Sequence, residues 1–206
     1  MLNAILWAVL GFLLGSIPFS VIIGRLFLSK DIREFGDRNP GAANVWRAGG
    51  GTPLGMLAVL LDFSKGFVPV FLARFWLGVS GVGLVLVALG PVLGHAFSPF
   101  LRFKGGKAVA TTFGVWAGFT LLEGPLALSV SMGAIHLWQK TNAWTVFIGF
   151  MGLLAYLLIR NADIFTLTVW TGNAAVVVWK HLPELREPMR LRPVLAKGLK
   201  RLMRRP

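Results

Sequence analysis

The sequence predicts an all-α, polytopic membrane protein with seven transmembrane helices, its N-terminus outside and its C-terminus in the cytoplasm. Three observations carry that prediction. The 206 residues are 55% hydrophobic, with a mean hydropathy of +0.71. Only 14% are charged, against about 25% in soluble domains. Apolar runs recur from end to end, and in lipid only helices or closed barrels satisfy their own backbone polar groups. One membrane domain spanning 1–206 follows, with 180–206 as a basic cytoplasmic tail.

The spans are read in order. The first covers 2–28; Met1-Leu2-Asn3 lacks the basic start of a signal peptide, so this run is expected to stay as a span. Gly15-Ser16-Ile17-Pro18 would kink it, and Arg25 can snorkel at its end. A polar loop over 29–53 leads to a second span, 54–76, which contains Asp62 and Lys65. The third, 79–101, holds Pro91 and His95. A fourth run over 108–122 is turned by Glu123-Gly124-Pro125 into a fifth that ends near 138. The sixth covers 144–159 and the seventh 164–178. Runs of about 15 residues reach about 22 Å, short of the hydrocarbon core of about 30 Å. The fourth and fifth can therefore form a re-entrant hairpin, which would leave five full crossings.

Orientation follows from the basic loops. Lys30, Arg33, Arg38 and Arg47, then Arg102, Lys104 and Lys107, then Lys140 and the tail, share one side. That side is expected to face the cytoplasm. Much of the formal charge of +13 lies behind the last span. It reads as a tail touching anionic lipid rather than as a nucleic-acid site. Cysteine is absent and there are three histidines, so neither a disulfide nor a metal centre is expected. No Ser-His-Asp spacing, P-loop, HExxH or His-x4-Asp motif appears. Any chemistry must rest on positioning and charge.

Two glycine-rich basic loops stand out on the predicted cytoplasmic side. One is Gly36-Asp37-Arg38-Asn39-Pro40-Gly41-Ala42-Ala43-Asn44-Val45-Trp46-Arg47. The other runs from Gly94-His95-Ala96-Phe97 to Phe103-Lys104-Gly105-Gly106-Lys107. Glycines let backbone N–H groups approach an anion, and Arg and Lys supply charge for phosphate. Together the loops suggest a joint anion site. His95 can be a general base, a phosphate ligand or a helix-end hydrogen bonder. His181 can return to the site or belong to the tail. Asp62 and Lys65 share a helix face; they form a structural ion pair, or Asp62 orients a cationic group.

The chain resembles the bacterial integral-membrane acyl-phosphate:glycerol-3-phosphate acyltransferases. The resemblance lies in Gly15-Ser16-Ile17-Pro18-Phe19, in Asn39-Pro40-Gly41-Ala42 with Asn44 and Arg47, in Asp62 with Lys65-Gly66, and in the His95 to Lys107 loop. It implies transfer of a fatty acyl group from acyl phosphate to glycerol 3-phosphate, forming lysophosphatidic acid in phospholipid synthesis. It also implies a plasma-membrane location, a cytoplasm-facing site, and no cofactor, metal or nucleic-acid partner. By position, Lys104, Arg47 and His95 would be catalytic. Asn39, Gly41, Asn44, Gly105, Gly106, Lys107, His181, Asp37 and Arg38 would bind substrate. The chain departs from the usual motif: Asp37 replaces Ser, Arg38 Gly, Ala43 Thr, Ala143 Ser and Glu184 Asn. A carboxylate at 37 would repel phosphate unless Arg38 pairs with it. Two other classes stay open: a diverged relative that uses another small phosphorylated alcohol or only binds anionic lipid, and an anion transporter.

Overall fold

The computed structural model describes residues 2–192 and is all-helical. The helices are α1 (Leu2–Ser16), α2 (Phe19–Leu28), α3 (Ala42–Val45), α4 (Gly51–Phe71), α5 (Gly81–Ala96), α6 (Val109–Thr120), α7 (Glu123–Trp138), α8 (Asn142–Ile159) and α9 (Ile164–Leu185). Among the described residues, four stretches are long and apolar enough to cross a membrane: Asn3–Leu28, Ala42–Trp76, Gly81–Leu101 and Asn142–Ile159. Leu6, Val9, Leu10 and Leu13 project outward from α1, as a lipid-facing surface requires.

Two boundaries differ from the sequence reading. Helix begins at Ala42, not near 54, because Asn39-Pro40-Gly41 ends the loop with Gly41 extended (φ −129°) as the cap of α3. The Gly49-Gly50-Gly51 run is a kink inside the helical stretch, with φ of 99° at Gly49 and 59° at Gly51. Such values suit glycine. At the other end, α9 runs on to Leu185. Lys180 and His181 are therefore helical, and the tail starts about one and a half turns later than expected; residues 193–206 of that tail lie outside the described residues.

Helices approach closely through small residues. Along α1 and α5, Gly83 faces Ala4, Gly90 faces Ala8 and Gly94 faces Phe12, so the two run parallel. Along α4 and α6, Gly114 faces Phe63 and Gly118 faces Phe67 and Phe71, again parallel. In the opposite sense, Ser20 meets Asp62 and Ile17 meets Lys65, so α1–α2 runs antiparallel to α4. Backbone contact of this kind replaces the missing hydrophobic drive between helices in lipid. The main core, around Val92, Trp116, Phe119, Phe150, Leu153 and Val177, lies where α5, α6, α8 and α9 meet. A smaller cluster of Val21, Ile32, Val45 and Ala58 seats the first loop on α2 and α4.

A methyl group built at Gly114 would lie 2.0 Å from the Phe63 carbonyl oxygen, whereas one at Gly133 would meet nothing within 4 Å. Gly114→Ala should therefore lower the unfolding temperature in detergent, by the about 1–3 kcal/mol of an overpacked contact. Gly133→Ala should be neutral or stabilising, because alanine favours helix by about 1 kcal/mol. Thermal unfolding of the two variants side by side checks this.

Candidate active site

The site is built outward from a charge pair inside α4. Asp62 and Lys65 are both buried, with Lys65 Nζ 2.7 Å from Asp62 Oδ1. Ser20 Oγ donates to Asp62 Oδ2 at 3.1 Å. Lys65 Nζ also donates to the Ile17 carbonyl at 2.9 Å. That carbonyl sits at the break between α1 and α2, where Pro18 interrupts the helix, and it also accepts the Phe19 N–H at 3.0 Å. The neighbouring Ser16 carbonyl is taken by Ser98 Oγ at 2.6 Å. The kink thus provides acceptors that tie α4 and the α5–α6 loop to the first span.

His95, in the last turn of α5, places Nδ1 3.8 Å from Asp62 Oδ1. Its carbonyl accepts the Gly106 N–H at 3.0 Å, and a Cβ at Gly106 would lie 2.2 Å from its Nε2. Only glycine leaves room for the ring there. Lys180 clamps the same turn from α9, donating to the Ala96 carbonyl at 3.0 Å and the Gly105 carbonyl at 2.8 Å. Gly105 and Gly106 are therefore buried support, and the turn aims Lys107 away from them.

Lys107 meets the first loop. Its Nζ donates to Asp37 Oδ2 at 2.6 Å and also to Glu184 Oε1 on α9. Asp37 Oδ1 accepts from Asn44 Nδ2 at 3.0 Å and Arg47 Nη1 at 3.3 Å. Asn44 is fully buried; its amide also donates to the Asn39 carbonyl at 2.8 Å, and its Oδ1 accepts from Arg47 at 2.8 Å. Gly36 (φ 55°) permits this closure, since a Cβ there would strike Arg47 and Asn44 at 2.5 Å. Burial raises the Asp37 pKa, but the Lys107 hydrogen bond and charge outweigh it and hold the carboxyl below the ordinary carboxylate range.

These groups line one cavity of about 440 Å³. Asp37, Asn39, Arg47, Lys107 and His181 form a polar end, and Val59, Phe113, Met132 and Val146 form apolar walls. His181 is buried with Nδ1 2.7 Å from the Val177 carbonyl. A carbonyl only accepts, so in the neutral ring Nδ1 carries the proton and Nε2 is left as an acceptor. Such a cavity can hold an anionic head with an apolar chain.

Of the residues expected from sequence, Asp37, Asn39, Gly41, Arg47, His95, Lys107 and His181 come together around this cavity. Asn44, Gly105 and Gly106 stand behind it as supports. Lys104 and Arg38 do not reach it; they line a neighbouring cleft. Asp37 takes Lys107 and Arg47 as partners, not Arg38. The sequence reading missed Lys180, Asn142 and Thr145. Asn142 and Thr145 line the cavity from the first turn of α8, three residues apart, and the buried Thr145 hydroxyl has no protein partner. Their i, i+3 spacing was the available signal.

The family profile described as "Glycerol-3-phosphate acyltransferase" matches residues 5–190. The chain belongs to this family. It is 39% identical over 189 residues to glycerol-3-phosphate acyltransferase 1 of Thermotoga maritima, covering 85% of this chain and 92% of that one. It is 41% identical over 189 residues to the enzyme of Desulfovibrio desulfuricans, covering 86% and 78%. Among solved structures it is similar to PlsY (YgiH), an integral membrane glycerol 3-phosphate acyltransferase, in its glycerol 3-phosphate form. The TM-score is 0.82 at 30% identity, over 89% of this chain and 90% of that one. The lysophosphatidic acid form of PlsY gives 0.80 at 29% identity over the same shares.

Within this acyltransferase the motif departures acquire a physical account. The carboxylates at 37 and 184 share one ammonium, Lys107, so neither stands as an unpaired charge. Ala143 is fully buried, while the hydroxyl facing the cavity in that turn comes from Thr145.

Lys65→Met leaves the Asp62 carboxylate buried without its partner. The loss should be about 3–5 kcal/mol, the usual cost of breaking a buried pair from one side. Asp62→Asn combined with Lys65→Met should recover part of it. Thermal unfolding of the single and double variants in detergent measures both.

Proposed function

We propose that the chain transfers a fatty acyl group from acyl phosphate to glycerol 3-phosphate, releasing inorganic phosphate and forming lysophosphatidic acid. The observation that carries this reading is the two-ended cavity, with Arg47 and Lys107 at one end and an apolar passage at the other. Family membership and the named activity of the relatives support it. We also propose seven crossings, an outside N-terminus, and a site facing the cytoplasm from the plasma membrane. The alternating helix directions and the one-sided basic loops support that arrangement.

In this reading the acyl chain lies along Val59, Phe113, Met132 and Val146. The phosphates gather at Arg47 and Lys107, which offset the repulsion between two anions. The acceptor oxygen bonds to the acyl carbonyl carbon, the carbon–oxygen bond to phosphate breaks, and the departing phosphate carries the acceptor's proton. Asn39, Asn44 and Gly41 shape the loop; His95 and the Gly105-Gly106 turn aim Lys107. His181, Asn142 and Thr145 supply neutral polar contacts. Asp37 and Glu184 leave the resting cluster near neutral, so an incoming phosphate takes over donors that Asp37 holds. Asp37 then remains beside the acceptor, where an ionised carboxylate accepts from hydroxyl groups. That feature favours a polyol acceptor and keeps a second small phosphorylated alcohol as the runner-up.

The test is purified protein with palmitoyl phosphate and glycerol 3-phosphate, or dihydroxyacetone phosphate as alternative acceptor, with products read by mass spectrometry. Lysophosphatidic acid is expected with the first. Arg47→Ala and Lys107→Ala should each lower kcat/KM about 100-fold, the scale of one lost preorganised donor. Lys104→Ala should lower it far less. A wild type that makes no acylated product, or a Lys107→Ala variant that turns over normally, would contradict the proposal.

A further inference from the structure

The α5–α6 loop has a second working face. Beside the cavity lies a separate cleft of about 730 Å³, lined by five cations and two carboxylates. Asp37 and Arg38 are chain neighbours that part company here: Asp37 turns into the cavity, while Arg38, at φ 59°, turns into the cleft. Asp31 is already occupied, because Arg33 Nε donates to it at 2.8 Å and Arg25 at 3.2 Å. Arg38, Arg102 and Lys104 have no carboxylate within ion-pairing distance among the described residues. Three unpaired cations around one hollow repel each other, and an anion relieves that repulsion.

Exposed aromatic rings border the hollow. Phe100 forms part of its wall and is 63% exposed; Phe103, next along the loop from Arg102, is 65% exposed. Both follow directly on α5. Aromatic rings placed so are unfavourable in water and favoured among headgroups. The display is fixed rather than floppy. Arg102 and Phe103 both hold left-handed backbone, φ 52° and 61°. Ser98 pins the loop, donating to Ser16 through its hydroxyl and accepting the Phe103 N–H at 2.8 Å. Non-glycine residues are held in that region only where the surroundings demand the geometry.

We propose that this cleft binds the phosphate of an anionic lipid headgroup, gripped by Arg38, Arg102 and Lys104 while Phe100 and Phe103 rest among the acyl chains. The proposal does not depend on the acyl-transfer reaction, since none of the cations it uses lines the cavity.

The test uses the full chain in micelles holding equal phosphatidylglycerol and phosphatidylcholine of matched chains, with bound lipid read by native mass spectrometry. The wild type should retain phosphatidylglycerol preferentially. Arg102→Gln with Lys104→Gln should cut that retained fraction about ten-fold, and Arg38→Gln alone should cut it by a smaller factor. These side chains are exposed, so the variants should unfold at the wild-type temperature. Arg204→Gln with Arg205→Gln, in the basic tail, should lower retention less than the double cleft variant does. Unaltered retention in the cleft variants, or an equal loss in the tail variant, overturns the proposal. A third arm adds millimolar inorganic phosphate. Saturable phosphate binding at the cleft without preferential phosphatidylglycerol retention would assign it to a soluble phosphate and overturn the lipid source.

Discussion

The molecule depends on a dry ion pair. Asp62 and Lys65 sit 2.7 Å apart with side chains 4% and 2% exposed, within a membrane-spanning helix. Withdrawing two charges from water costs several kcal/mol per ion, and the pair survives only with good geometry and further hydrogen bonds. Those come from Ser20 and from the Ile17 carbonyl at the break before Pro18. The requirement fixes where α1, α2 and α4 meet. His95 lies beside the pair, its Nδ1 3.8 Å from Asp62 Oδ1; its ring packs on Gly106 and its carbonyl holds the turn that aims Lys107. A buried pair of this kind adds little stability over an apolar equivalent. Its effect here is to give the lysine of the site one position.

The charge of the site is set by exchange rather than by excess. Lys107 lies between Asp37 and Glu184, and Arg47 is shared between Asp37 and Asn44. A surplus of bare cations would attract any anion in solution. Cations already engaged release their partners only to a ligand that makes as many contacts, so the carboxylates tune selectivity as well as offsetting charge. The neighbouring cleft follows the opposite rule, with Arg38, Arg102 and Lys104 left without carboxylate partners among the described residues. The one basic loop thus serves two environments, Lys107 toward the cavity and Arg102 and Lys104 toward the cleft.

Much of this was legible in the residues. Apolar runs located most of the helices, and the Pro18 kink, the Asp62–Lys65 pairing and the meeting of the two glycine-rich loops followed from local chemistry. Helix ends were less legible. Apolarity marks contact with lipid, not helix, so α3, a single turn set among loop glycines and charges, and the polar last turn and a half of α9 were hidden. The choice between Lys104 and Lys107 was also closed to sequence, because both flank the same Gly-Gly turn and only His95 and Lys180 decide which one points inward. Lys180 and Thr145 went unseen for a related reason: one answers carbonyls brought close only by folding, and the other matters through the cavity it happens to face.

The measurement that bears most directly on this account is where phosphate binds. A structure of the protein solved with glycerol 3-phosphate should show the phosphate within hydrogen-bonding reach of Arg47 and Lys107, with the Asp37–Lys107 contact lengthened. Phosphate held only by Arg102 and Lys104, with the cavity vacant and the Asp37–Lys107 contact unchanged, would contradict it.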